Sequence, residues 1–296
     1  MNIAQIFLNS LLTGSIYVLI GIGLSMVFSI LGFANFAHAE QVTFGAYVAF
    51  TVNVVMDMNI VAGAAAAFIL SGLLCVATDY LVFKRLRIRG SEAIPLMISS
   101  IGLGMVIRYS IREIWGPAIK FYNFQNVTVY SILNARITEI EILTILSSFI
   151  VTFLVHLLLT KTKLGKAMRA VSDNPTLAQA SGINIERVIM WVWFIGGGLA
   201  GLSGVLRGVD TRLVPLMGWE LILPAFAVII LGGIGSFYGA ILGAYILGFA
   251  ENFGVVLLSE LSISTTYRPA ISFLILILII LIKPTGLMGL KGYGRK

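Results

Sequence analysis

Apolar runs of roughly 20 residues recur from one end of this chain to the other, and each is the length a helix needs to cross about 30 Å of hydrocarbon. Backbone polar groups in that solvent must be paired within the segment itself, so the runs are read as helices. Composition agrees. Of the 296 residues 58% are hydrophobic and 11% charged, where a soluble domain carries about 25% charged residues. No soluble domain of about 50 residues or more fits between the runs. The expected architecture is all-α: one polytopic membrane helix bundle over residues 1–296, with about eight to nine transmembrane segments.

In order, the segments fall at about 6–31, 42–56, 60–83, 94–114, 140–160, 188–206, 221–234, 236–258 and 269–282. The N-terminus has no basic residue before its first apolar run, which argues for a permanent span and against a cleaved signal. Residues 116–138 are polar and aromatic and are read as an outer loop with a short hairpin near Val127 to Tyr130. The segment at 221–234 is short for a span. The glycines after it suggest a short helix, a re-entrant segment or a broken helix, tolerated only inside protein. Phe44-Gly45-Ala46-Tyr47 resembles Leu242-Gly243-Ala244-Tyr245 and hints at an internal repeat, the usual pointer to a transport site.

Charge sets the expected orientation. The net charge of +7 is explained by basic loops on the cytoplasmic side. Taking 84–89, 161–187 and 283–296 as cytoplasmic places 13 of the 20 basic residues there. The C-terminus is then cytoplasmic in a multi-pass protein of the cell membrane. No basic–aromatic groove points to nucleic acid. The single cysteine, Cys75, and the separated histidines, His38 and His156, give no metal cluster. No phosphate-binding loop and no nucleophile–base set is present, so neither an ATPase nor an enzyme is expected.

Three sets of residues carry the functional reading. First, Asn35, His38, Glu40 and Gln41 lie between two apolar runs with no real loop. With Glu251 they are candidates for the translocation path, since charge at membrane depth is costly and faces protein or water. A structural knot of caps and hydrogen bonds explains them equally well. Asp79 is read as interfacial. Second, Gly196, Gly197, Gly198, Gly232, Gly233 and Gly235 serve close helix packing or hinges for alternating access. Third, the polar stretch 161–187 contains a helix start, capped by Asp173 or Asn174, with Pro175 at the first helical position. Gly182 ends the run that follows. A short capped helix in a basic loop is thereby expected.

The chain resembles the membrane permeases of branched-chain amino-acid ABC importers. One block is Gly14-Ser15-Ile16-Tyr17 through Asn35-Phe36-Ala37-His38-Ala39-Glu40, where the family reads NFAHGE and Ala39 replaces a glycine. The second is Gly165-Lys166-Ala167-Met168-Arg169-Ala170-Val171 with Asn174-Pro175 and Gly182-Ile183-Asn184. The third is Leu231-Gly232-Gly233-Ile234-Gly235-Ser236 with Gly239 and Gly243. The resemblance implies a second homologous permease subunit, two cytoplasmic ATPase subunits and an extracytoplasmic solute-binding protein. ATP and Mg would sit on the ATPases, and this chain would hold no cofactor. Gly165, Arg169, Asp173, Asn174, Pro175, Leu177 and Gly182 would form the ATPase-coupling unit. The same branch includes permeases for urea and short amides, which the quoted residues do not separate. A stand-alone ion-coupled transporter or channel is the alternative of a different class, with a proton role for Glu40 or Glu251.

Overall fold

A computed structural model describes residues 3–124, 128–132 and 135–289. Among them are eleven α-helices and one hairpin. Helix α1 is Ile3–Leu31 and α2 is His38–Phe50, prolonged by the π-helical turn Thr51–Val55. Helix α3, Ile60–Ile88, widens into a π turn at Asp79–Phe83. Helix α4 is Ala93–Trp115, and strands β1, Val129–Ile132, and β2, Ala135–Thr138, pair antiparallel. Then come α5 (Glu139–Lys161), α6 (Lys163–Asp173) and α7 (Pro175–Ala180). The rest is α8 (Ile185–Asp210), α9 (Met217–Gly232), α10 (Phe237–Glu260) and α11 (Arg268–Ile282).

Seven of these helices (α1, α3, α4, α5, α8, α10 and α11 with the turn before it) are long and apolar enough to cross a membrane. Eight or nine segments were expected. The difference lies in α2 and α9, which are short. A 16-residue α9 is only about 24 Å long. The hairpin falls where the polar, aromatic loop was read, beginning at Val129.

Helices α1 and α8 form the centre, antiparallel and more buried than the other long helices. Small residues allow the approach. Gly23 lies against the Gly196 carbonyl, and the Ser203 hydroxyl donates to the Ile16 carbonyl at 2.9 Å. Helix α3 lies antiparallel on α8, with Gly72 on the Phe194 carbonyl and Gly197 on Cys75. Helix α10 lies antiparallel on α1, with Gly248 against Ser10 and Gly14. One end of the bundle carries the basic segments 84–89 and 161–187, joined there by the Lys84–Glu186 ion pair at 3.1 Å. The other carries the hairpin, where Arg136 meets Gln5 of α1.

The short helices begin inside the bundle. After α1 reaches the basic end, residues 32–37 turn back. Phe33 packs on Phe83, the Phe36 N–H donates to Ser100 Oγ at 3.0 Å, and the His38 ring comes against Gly23. Gly23 is eight residues before the end of α1, so α2 starts about 12 Å in from that end. It then runs outward beside α4 to the hairpin end, where Trp115 donates to Thr51. Helix α9 does the reverse. Residues 211–216 enter from the hairpin end, where Leu213 bridges to Lys120, and α9 runs to the basic end, where Gly235 meets Ser29. The N-terminal parts of α2 and α9 touch: Gly218 lies against the Ala39 carbonyl, and its N–H donates to Thr43 Oγ1 at 2.9 Å.

The two halves are therefore inverted copies in arrangement. Each has a central helix, a half-length helix and a long helix packed on the other half's centre: α1–α2–α3 and α8–α9–α10. The resemblance of residues 44–47 to 242–245 set α2 against α10. Chain direction and packing set α2 against α9 instead, so that short match does not mark the repeat.

Candidate functional site

The polar turn at the start of α2 is buried. Asn35 Oδ1 accepts from the Ala37 N–H at 3.1 Å and sets the turn into the helix. Ala39, which replaces the resembling family's glycine, lies inside the helix and is not among the positive-φ residues. Its carbonyl lies against Gly218, which has no room for a Cβ there.

Glu40 is fully buried and paired with Arg108 of α4. Its Oε1 accepts from Arg108 Nε at 3.0 Å and from an Arg108 terminal nitrogen. The guanidinium also lies over the Trp219 ring of α9, 4.5 Å from its centroid. A charge at this depth needs both a partner and a polarisable face. Glu40 Oε2, Gln41 Oε1 and both His38 ring nitrogens have no hydrogen-bond partner among the described residues, although the Ile20 carbonyl acts on the His38 ring. Buried polar groups ordinarily pair, so this turn concentrates unspent polarity where the two half-helices meet. In the sequence Arg108 stands at helical spacing from Arg112 and Glu113. Its actual partner is 68 residues away, a distance that no local spacing encodes.

Glu251 is far from that cluster and fully partnered. It accepts from Tyr17 Oη at 2.8 Å, from Arg268 Nε at 2.9 Å and from the Ser272 hydroxyl. The carboxylate ties α1, α10 and α11 together. Asp79, towards the basic end of α3, is buried and accepts from Arg87 at 2.5 and 3.3 Å across the π turn.

The glycines mark contacts between helices. Gly196 faces α1, Gly197 faces Cys75 and Gly198 faces Phe68. Gly232 packs on the Gly239 carbonyl across the α9–α10 turn, and Gly233 faces Gly289. Gly233 and Gly235 have φ of +105° and +79°, a region that favours glycine, so the α9–α10 reversal needs both.

At the basic end the expected capped helix is present. Asn174 Oδ1 accepts from the Leu177 N–H at 3.0 Å, Pro175 opens α7, and Gly182 leaves it at φ +83°. Leu177 is 64% exposed, an apolar knob on a rigid turn. Helix α6, just before it, was read only as polar loop. Its signal was Leu164, Met168 and Val171, an apolar stripe at helical spacing hidden among basic residues. Gly165 fits under the Leu158 and Leu159 carbonyls of α5, and Ser172 Oγ donates to the Ser29 carbonyl of α1 at 3.1 Å. Arg169 is exposed beside them. The knob is thus held by a helix anchored to two spans.

Seven membrane-length helices, two half-helices meeting over buried polar groups, and an anchored apolar knob at one end define a multi-pass membrane permease. The chain belongs to the family described as branched-chain amino acid transport system / permease component, whose model matches residues 6–282. It is 35% identical to the high-affinity branched-chain amino acid transport system permease protein LivH of Escherichia coli (strain K12), over 96% of this chain and 95% of that protein. It is 33% identical to the corresponding protein BraD of Pseudomonas aeruginosa, again over 96% and 95%. The fold is similar to that of PsaBC from Streptococcus pneumoniae in complex with Fab, with a TM-score of 0.51 and 13% identity over 94% of this chain and 91% of that one.

Proposed function

We infer that this chain is the membrane permease subunit of an ATP-driven importer of branched-chain amino acids. It forms half of the translocation path beside a second permease subunit. The family and the names of its relatives support the substrate class. The excess of basic residues puts the basic end in the cytoplasm, and the hairpin end then faces a solute-binding protein outside. Counting each half-helix with the link that leads into it gives nine passages, with the C-terminus cytoplasmic. ATP and Mg belong to two ATPase subunits below.

The single observation that carries the coupling role is Leu177, exposed on a capped helix at the basic end. A groove on an ATPase would hold it, and α6 would pass the stroke to α1 and α5. The path reading rests on the Glu40–Arg108–Trp219 cluster. Arg108, 12% exposed in its side chain, is held from both sides and is placed to meet a passing carboxylate. The coupling test is co-purification. Leu177→Asp is expected to release the ATPases while the permease stays in the membrane, and full ATPase retention sinks the coupling role.

A further inference from the structure

A cavity of about 230 Å³ opens at the basic end between α1, α5, α6, α8 and the start of α10. It is several times the share of one water, about 30 Å³. Its walls are apolar at Ile22, Met26, Leu159, Met168 and Val192. Among its polar groups His156 and Tyr238 are bonded to each other at 3.1 Å, and the others are of two kinds. Ser25 is 3% exposed, lines the cavity, and makes no hydrogen bond to any described residue. Arg169 at the rim has no ion-pair partner among the described residues. These two are unspent donors. Ser29, Thr160 and Ser172 have already given their hydroxyl protons to the carbonyls of Met26, His156 and Ser29, at 2.9, 2.7 and 3.1 Å. Their oxygens can only accept.

Donors on one side, acceptors on another and aliphatic walls between them match a small zwitterion with an aliphatic body. We propose that the cavity is a product-sensing site, which binds a branched aliphatic amino acid from the cytoplasmic side and slows the transporter when product accumulates. This rests on the importer reading above. The carboxylate is taken by Arg169 and Ser25, the ammonium by the hydroxyl oxygens. The response follows from position. Met168, Arg169 and Ser172 belong to α6, which is one residue from α7. A ligand in the cavity also ties α6, α1 and α5 to the start of α10, so a stroke at Leu177 can no longer shift them against it. Differential binding to the resting arrangement is what such control requires.

The test uses the complete transporter, with both permeases, both ATPases and the binding protein, in phosphatidylcholine vesicles. ATP is sealed inside, so only molecules with the basic end inward are driven. Initial uptake of labelled leucine is compared between vesicles loaded with millimolar unlabelled leucine and empty ones. Loading is expected to lower uptake and ATP hydrolysis by about fivefold, the low end of ordinary site–site coupling. Within each variant the loaded-to-empty ratio is read. Ser25→Leu, which fills the cavity, is expected to bring that ratio back to unity, and Ser25→Ala, which only removes the donor, to bring it partway. Equal rates in loaded and empty wild-type vesicles overturn the proposal, as does the same inhibition in both variants. Vesicles with added phosphatidylglycerol separate a lipid headgroup from an amino acid. Inhibition that follows the anionic lipid and not leucine overturns the proposal in favour of a lipid site. No uptake into empty vesicles fails the importer reading itself, a result distinct from all of these.

Discussion

Glu40 and Glu251 are both buried acids paired with arginine, yet their surroundings assign them different work. Glu251 has three donors and both oxygens engaged. Removing it leaves the Arg268 guanidinium and two hydroxyls without their acceptor, and breaking a buried pair from one side costs about 3–5 kcal/mol. Glu251→Ala is therefore expected to lower the melting temperature of the purified permease and its membrane yield, as thermal unfolding in detergent would show. Glu40 keeps one oxygen unpartnered, beside a histidine and a glutamine in the same condition. Glu40→Gln retains shape and hydrogen bonding but frees Arg108 of its counter-charge. Uptake is expected to fall at least tenfold at normal yield, and full transport would make the pair structural. Both acids stood out in the sequence because charge is rare in apolar runs. Their partners did not, since Tyr17, Arg108, Trp219 and Ser272 look locally like ordinary helix residues. Only the fold brings them across.

Helix α7 was legible because its signals are local: a capping side chain, a proline and a glycine within nine positions. Those same signals are testable. Asn174→Ala removes the cap at a cost of about 1 kcal/mol, and Gly182→Val forces a branched residue into left-handed backbone at about 1–2 kcal/mol. If the rigidity of α7 carries coupling, Gly182→Val is expected to lower leucine-stimulated ATP hydrolysis several-fold with permease yield unchanged. Unaltered hydrolysis would mean that the exposed knob suffices without its exit turn. Helix α6 was harder to see. A membrane protein's basic loop is explained by the positive-inside rule, and that explanation conceals an amphipathic stripe that would be plain in a soluble chain. Helices α2 and α9 were half legible. Their apolar length was visible, but where each begins depends on residues 32–37 and 211–216 turning inward, which is decided by the partners of those links.

For the whole molecule, the inverted arrangement makes a statement about sides. The link after α1 and helix α2 together must complete one passage, and the link after α8 and helix α9 another. On the orientation proposed above, residues 56–59 and 261–264 lie outside, while 89–92 and 181–184 lie in the cytoplasm. The one native thiol, Cys75, is 1% exposed, so it adds little background to cysteine labelling. Met58→Cys and Leu261→Cys are expected to react with a membrane-impermeant maleimide applied to intact spheroplasts. Arg89→Cys and Ser181→Cys are expected to react only after permeabilisation. The informative position is 58. Were α2 to fold back to the basic end rather than run outward, Met58→Cys would be protected while Leu261→Cys still reacted. The halves would then no longer be inverted, and the meeting of α2 and α9 over Glu40 would lose its place in the path.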